Sequence, residues 1–173
     1  MLATVASSTL IGVRGHPVTV EVHIGSGLPG FTVVGLPDAS CRESRDRVRA
    51  AIECAGLRWP NRRTVVNLAP TDLPKSGAGL DLAVALALLV ADEQLPATAL
   101  DGFAPLGELG LDGSLRPVPG AVALVDAVDA PVPIVPPASF DEARLVRADR
   151  LVVAGLEEGV WPAGPPTDPF LSR

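Results

Sequence analysis

The sequence is poor in aromatic residues, cysteine and lysine, and each shortage excludes a class of protein. Aromatic residues make up only 3% of the 173 residues and tyrosine is absent, which argues against a base-stacking platform for single-stranded nucleic acid. The two cysteines, Cys41 and Cys54, are too few for a disulfide framework and lack metal-ligand spacing. Lys75 is the only lysine, so every other cationic side chain is an arginine. The core must be built from Val, Leu and Ala.

Charge and hydropathy set further limits. A net charge of −6 argues against a strongly basic nucleic-acid binder, although a local basic face is still compatible with it. Hydrophobic residues make up 47% and charged residues 20%, which favours a folded body over disorder. The longest apolar run, Leu82–Ala91, is too short to span a bilayer, and the first ten residues lack the pattern of a signal peptide. We therefore expect a soluble cytoplasmic domain with no membrane partner.

The residue pattern predicts an α/β domain, more closely an α+β domain of two layers. Three early strands are expected to form a meander, and the period-two valines of the second indicate a half-solvated antiparallel strand. These strands are Leu2–Gly12, Pro17–Ile24 and Phe31–Val34. The later predicted elements are a helix from about Asp38 to Ala55, a strand Thr64–Leu68, a buried helix Leu80–Ala91, short strands Phe103–Leu106 and Ser114–Val118, a helix Ala121–Ala130, a strand Pro133–Val135, a helix Phe140–Arg147 and a strand Leu151–Ala154. We expect one domain over residues 1–160 and a Pro-rich linker or tail over residues 161–173.

The loop between the strand 64–68 and the helix 80–91 invites a phosphate-binding interpretation, because backbone amides at such a junction can face a ligand. A phosphate loop needs a glycine directly before its lysine, and Pro74 precedes Lys75. His16 and His23 have no acidic or cysteine partner at ligand spacing, so they are interpreted as surface histidines. No metal site is expected.

The arginines are the remaining candidates for binding. Three of them form the outer stripe of the helix 38–55, where four-residue spacing to acidic residues favours a self-paired, solvated face over a contact with nucleic acid or a partner. The spaced pairs are Arg42 with Asp46, Glu43 with Arg47, and Arg49 with Glu53. Arg62 and Arg63 have no carboxylate nearby in sequence and would lie near Lys75 if the connecting loops share one end of the sheet. The DNA-binding candidates are therefore Lys75, Arg62, Arg63, Arg42, Arg45 and Arg49.

Several strings resemble the amino-terminal domain of the magnesium-chelatase-like AAA+ proteins, the family that includes the competence protein ComM. They cover most of residues 18–122. The strings are VTVEVHIGSGLPGFTVVGLPDASCRESRDRVRAAI, VVNLAPTDLPKSGAGLDLAVALALL and LGELGLDGSLRPVPGAV.

This resemblance implies a Lon-protease-type domain, which is a fold similar to the second domain of a small-subunit ribosomal protein. It further implies a non-catalytic domain of a hexameric AAA+ ATPase and helicase that acts on DNA in recombination and transformation. The implied partners are copies of the same chain and DNA. No cofactor is expected in this domain, because ATP and magnesium would bind in a following AAA+ module.

Similarity to Lon protease also raises the question of peptidase chemistry. When the chain is aligned with the Lon motifs, the serine position falls on Gly79 and the lysine position on Val122, so the resemblance implies no catalytic residue. Two alternatives stay open: an active Ser/Lys peptidase that uses Ser76 and Lys75, and a purely structural oligomerisation module.

Overall fold

The computed structural model of the chain describes residues 1–128. The predicted elements between residues 133 and 154 and the Pro-rich segment 161–173 lie outside the described residues. In the described range the strands are β1 (Leu2–Ile11), β2 (Arg14–Gly25), β3 (Gly30–Val34), β4 (Arg63–Ala69), β5 (Glu108–Leu109) and β6 (Leu115–Arg116), and the helices are α1 (Ala39–Cys54), α2 (Asp81–Ala91) and α3 (Ala121–Asp126). A single 3-10 turn covers Ala97–Leu100. None of the helices in this part of the chain combines the length and apolarity needed to cross a membrane.

The main sheet is mixed, with strand order β1-β2-β4-β3. β1 and β2 form an antiparallel hairpin, and β4 is antiparallel to β2 and parallel to β3. The predicted meander is therefore wrong, because β4 lies between β2 and β3. The physical reason is burial: β4 places Val66 and Leu68 in the core, whereas no residue of β3 is fully buried. The more apolar strand takes the central position and β3 takes the edge.

Two helices cover one face of this sheet and confirm a mixed α/β domain. The alternation predicted for β2 is confirmed, since Val20 and Val22 are 0% exposed and pack in one cluster with apolar residues of α1 and α2. α2 is buried on nearly every side, as its apolar sequence predicts. α1 begins after the N-cap Asp38 and ends before Gly56, whose φ of +71° suits a glycine stop.

The segment after α2 differs from its prediction. Residues 103–106 form no strand; Ala104 and Leu106 are buried, and the carbonyl of Pro105 accepts a hydrogen bond from Ser7 Oγ at 2.8 Å. The hairpin partners are instead the two-residue strands β5 and β6, joined through Gly113 at a φ of +80°. Residues 103–106 are therefore joined to β1 by a side-chain hydrogen bond, and not by a ladder of backbone hydrogen bonds. The described part of the predicted helix 121–130 is α3.

Candidate functional site

The loop that carries Lys75 is joined to the start of α1. The carboxylate of Asp38 caps the helix by accepting from the Cys41 N–H at 2.8 Å, and its second oxygen accepts from the Gly77 N–H at 3.1 Å. The Asp38 N–H donates to the Lys75 carbonyl at 2.9 Å, and the Lys75 N–H donates to the Leu36 carbonyl at 3.1 Å. Burial would raise the pKa of Asp38, but these backbone hydrogen bonds outweigh it and lower the pKa. The loop is therefore fixed from both sides.

Lys75 lies inside this loop rather than on its surface. Its side chain is 0% exposed and its ammonium donates to the Pro70 carbonyl. Burial lowers the pKa of Lys75, while the nearby charge of Asp72 acts in the opposite direction. A contact between Lys75 and DNA stays a prediction, and it requires this loop to open.

The residues weighed for peptidase chemistry are not joined into a dyad. Ser76 is exposed and its Oγ donates to the Leu10 carbonyl at 3.3 Å, whereas the Lys75 ammonium is directed to Pro70. A Ser/Lys dyad needs the amine within hydrogen-bond reach of the hydroxyl. At the two positions that correspond to the Lon dyad, Gly79 offers only its backbone and Val122 is a 78% exposed aliphatic side chain.

The thiol of Cys41 contacts the backbone of the same loop, a role that was not predicted from the sequence. Its thiol lies in hydrogen-bond range of the carbonyls of Gly77, at 3.2 Å, and of Lys75, at 3.5 Å. Burial, together with the negative charge of Asp38, raises the pKa of the Cys41 thiol to about 12. This thiol is therefore a neutral donor and a poor nucleophile. Its place on the inward stripe of the predicted helix was the available signal.

A buried ion pair connects α1, α2 and β5. Arg47 Nε lies 2.6 Å from Asp81 Oδ2 and Arg47 Nη2 lies 3.1 Å from Asp81 Oδ1, while Nη2 also donates to the Ser40 carbonyl at 2.8 Å. The Leu109 N–H is directed at the same carboxylate at 3.4 Å. The predicted contact between Arg47 and Glu43 is present but longer, at 3.8 Å. Arg47 is therefore committed to the core and is not available to a ligand.

Burial and the ion pair both change the pKa values of Asp81 and Arg47. Asp81 is 1% exposed, and burial raises its pKa to about 6 against the lowering effect of the Arg47 guanidinium. The hydrogen bond to Asp81 raises the pKa of Arg47, which stays charged. In the sequence, Asp81 stands at the start of the apolar helix α2, and an acidic residue at such a position indicates a cationic partner such as Arg47.

The predicted outer stripe of α1 is exposed, and two of its three arginines form a hydrogen bond or an ion pair. Arg49 pairs with Glu53 at 2.9 Å as predicted, and its guanidinium carbon lies 6.0 Å from the centre of the Trp59 ring. Arg42 does not form the predicted pair with an acidic side chain in the described part of the chain; its Nη2 donates to the Pro37 carbonyl at 3.1 Å. Arg45, one helical turn before Arg49, is exposed and has no ion pair within residues 1–128.

A second group of arginines, Arg58, Arg62 and Arg63, flanks Trp59 in the sequence, and the Trp59 ring lies next to Arg49 of the stripe. Arg62 pairs with Asp92 at 2.9 Å. The backbone of Arg58 exchanges hydrogen bonds with the Gln94 side chain at 2.9 and 2.7 Å, which holds the loop in place. Sequence reasoning missed Arg58 because nothing in its sequence neighbourhood singles it out. We call the exposed arginines of both groups, apart from Arg42, the arginine surface; its members are Arg45, Arg49, Arg58, Arg62 and Arg63.

The predicted proximity of Arg62 and Arg63 to Lys75 is wrong. Arg63 is the first residue of β4 and the Lys75 loop follows the last, Ala69. A strand of this length separates its two ends by roughly 20 Å. The DNA-binding candidates are therefore separated: Arg62 and Arg63 lie at the start of β4, and the covered Lys75 lies beyond its end. Arg45 and Arg49 lie on α1, and Arg42 is close to the lysine loop through Pro37.

Comparisons with known proteins fit this arrangement to one family. The family described as subunit ChlI of Mg-chelatase matches residues 20–133. The uncharacterized protein YifB of Escherichia coli K12 is 52% identical over 122 residues, which is 70% of this chain and 24% of that protein. The competence protein ComM of Haemophilus influenzae is 46% identical over 124 residues, 72% of this chain and 24% of that protein. The uncharacterized protein Mb2921c of Mycobacterium bovis is 45% identical over 148 residues, 84% of this chain and 29% of that protein.

The chain thus spans about a quarter of the length of the curated relatives it matches. The family match covers well over half of the chain, including β4, the Lys75 loop, α2 and the arginine surface. The chain belongs to the family of the ChlI subunit of Mg-chelatase, and ComM is among its similar relatives.

Proposed function

We propose that this chain is a non-catalytic domain that contacts DNA phosphates for an AAA+ ATPase of the ComM type. The resemblance of its motifs to ComM-like proteins implies a hexameric ring that remodels DNA in the cytoplasm during recombination or transformation. ATP and magnesium would bind in an AAA+ module, because the loop of this domain has Pro74 where a phosphate loop needs glycine. The Lon-protease type of the fold is part of the same proposal.

The observation that carries the DNA part is a local reversal of charge. Residues 42–63 contain seven arginines and three carboxylates, within a chain whose net charge is −6. Only Arg47 of these seven is withdrawn into a buried pair. Phosphate binding depends on cations that can displace the counterions of DNA, and it needs no contact with base edges.

Three members of the arginine surface could bind phosphate without losing an ion-pair partner. Arg45, Arg58 and Arg63 are exposed and have no ion pair within residues 1–128. Arg49 and Arg62 are each paired with one carboxylate, so a phosphate would compete with Glu53 or Asp92 for them. The surface therefore has three arginines free to bind phosphate within the described residues and two for which DNA must compete with a carboxylate.

Substitution of two of these three arginines, Arg45 and Arg63, tests the proposal. The variant R45Q/R63Q should bind fluorescein-labelled duplex DNA about tenfold more weakly than the unaltered chain at low salt, because two phosphate contacts are lost. R116Q is a control for the loss of one positive charge elsewhere on the surface, because Arg116 is 57% exposed and makes one ion pair with Glu108 at 3.5 Å. Equal anisotropy titrations for all three proteins would overturn the DNA contact.

The geometry of the lysine loop supports the proposal that the domain is non-catalytic. The Ser76 hydroxyl and the Lys75 ammonium are hydrogen-bonded to different carbonyls, so neither activates the other. We expect neither labelling by a fluorophosphonate probe nor cleavage of a casein substrate. Labelling that disappears in the variant S76A would establish a peptidase and overturn this part of the proposal.

A further inference from the structure

β3 is an edge strand without the usual protection. Within residues 1–128 it pairs only with β4. Edge strands of monomeric proteins are usually blocked by charged side chains, proline or a bulge, because unpaired backbone groups otherwise recruit another strand. The whole segment 25–37 contains no charged side chain, and the strand itself reads Gly-Phe-Thr-Val-Val without a proline. The phenylalanine, threonine and valine side chains of β3 favour β structure.

Apolar side chains continue along the same edge. Leu28, just before β3, is 89% exposed, Val34 at its end is 41% exposed, and Leu36 is 55% exposed. These three residues flank an unpaired backbone, so the edge offers both hydrogen bonds and apolar area. Such a combination is costly to leave in water and is typical of a surface that another strand covers.

The opposite edge of the sheet is less accessible. β1 also lacks charged side chains, but Ser7 Oγ donates to the Pro105 carbonyl and Ser8 Oγ donates to the Leu124 carbonyl, both at 2.8 Å. Residues 7–9 are buried. Exposed residues of β1 therefore lie mostly in its first half, whereas no contact within residues 1–128 covers the outer edge of β3.

We propose that β3 pairs antiparallel with β3 of a second copy of this chain across a two-fold axis. In a two-fold pairing the residue on the axis meets its own type and every other residue meets its counterpart on the other side of the axis, so a strand of one charge sign would repel itself. β3 contributes no charge, and pairing centred on Thr32 would place threonine beside threonine, a favourable cross-strand pair. The same register would set Gly30 opposite Val34 at both ends of the paired strands. The sheet would then continue through both copies.

This pairing is separate from the proposed DNA contact. No member of the arginine surface belongs to β3, and a two-fold contact joins two copies without building a ring. Loss of DNA binding in R45Q/R63Q and loss of pairing in a β3 variant would therefore be distinct results.

A lysine placed on the edge tests the inference. T32K changes an exposed side chain and sets two ammonium groups opposite each other in the paired state, while T4K adds the same charge on the same sheet face at the β1 edge. V34K is a second β3 variant, and circular dichroism checks that each variant is folded. Sedimentation velocity over a roughly hundredfold range of concentration measures association by mass action.

We expect the unaltered chain and T4K to dimerise with rising concentration, and T32K and V34K to dimerise at least about fivefold more weakly. Hydrogen exchange of the β3 amides should slow as the dimer forms. A monomer at every concentration overturns the inference, whether β3 exchanges quickly or is protected by residues 129–173 of its own chain. Association that T4K weakens and T32K does not would assign the contact to β1 and overturn it equally.

Discussion

Removal of the Arg47 guanidinium should destabilise the fold far more than removal of an exposed arginine. R47A would leave the Asp81 carboxylate, which is 1% exposed, with only the long contact from the Leu109 N–H at 3.4 Å. Three hydrogen bonds of the guanidinium would be lost, two to Asp81 and one to Ser40. An uncompensated buried charge is the dominant cost.

The magnitude follows from burial. Deleting one partner of a buried ion pair typically costs about 3–5 kcal/mol, whereas an exposed pair contributes about 1 kcal/mol or less. Arg47 is 18% exposed and its partner is almost fully buried, so R47A belongs to the first class. R116A belongs to the second, because Arg116 is 57% exposed and its contact with Glu108 is 3.5 Å long.

Urea unfolding at a pH well above 6, where Asp81 is ionised, provides the assay. We expect R47A to lower the free energy of unfolding by about 3 kcal/mol or more and R116A by less than about 1 kcal/mol. The double variant R47M/D81L should recover most of the loss, because it removes both charges together. A loss below about 1 kcal/mol in R47A would refute the view that this pair braces α1 against α2.

Three further predictions concern the neighbouring groups. The pKa of Asp81, about 6, lies above its ordinary value of 3.8, so the folded state holds the extra proton and the unfolding free energy should fall by up to about 3 kcal/mol as pH rises from 4 to beyond 6. D81N should flatten this dependence, and an equal slope in D81N would contradict the assignment. A maleimide should label exposed Cys54 in the native chain and buried Cys41 only after unfolding; mass spectrometry that finds both labelled at once would refute the burial of Cys41. D38A should cost about 1–2 kcal/mol in urea unfolding and speed hydrogen exchange of the Gly77 amide, which an unchanged exchange rate would contradict.

Much of the fold follows from local patterns that the sequence displays. The period-two valines of β2 and the apolar run of α2 predict elements whose burial the structure confirms, because both patterns depend only on neighbouring residues. The cap at Asp38 and the glycine stop at Gly56 likewise predict the bounds of α1 to within a residue. The exposed arginine stripe on the outer face of α1 is likewise predicted by a local pattern, the spacing of residues along one helix.

Long-range choices could not be predicted in this way. The insertion of β4 between β2 and β3 is decided by which strand buries more apolar surface, and no local pattern reports that competition. Arg47 had an acidic neighbour at helical spacing, yet it binds Asp81, 34 residues away, because a buried carboxylate gains more from a bidentate partner than an exposed one does. Lys75 was predicted as a DNA-binding candidate, and its side chain is covered by contacts that only the folded loop creates.

The salt dependence of DNA binding tests the proposed role of the arginine surface most directly. Each phosphate contact contributes about 0.9 to the slope of log K against log salt concentration on duplex DNA. Loss of Arg45 and Arg63 in R45Q/R63Q should therefore make that slope shallower by about 2, while R116Q keeps the slope of the unaltered chain. A slope that is the same in all three proteins would contradict the assignment of this surface to DNA.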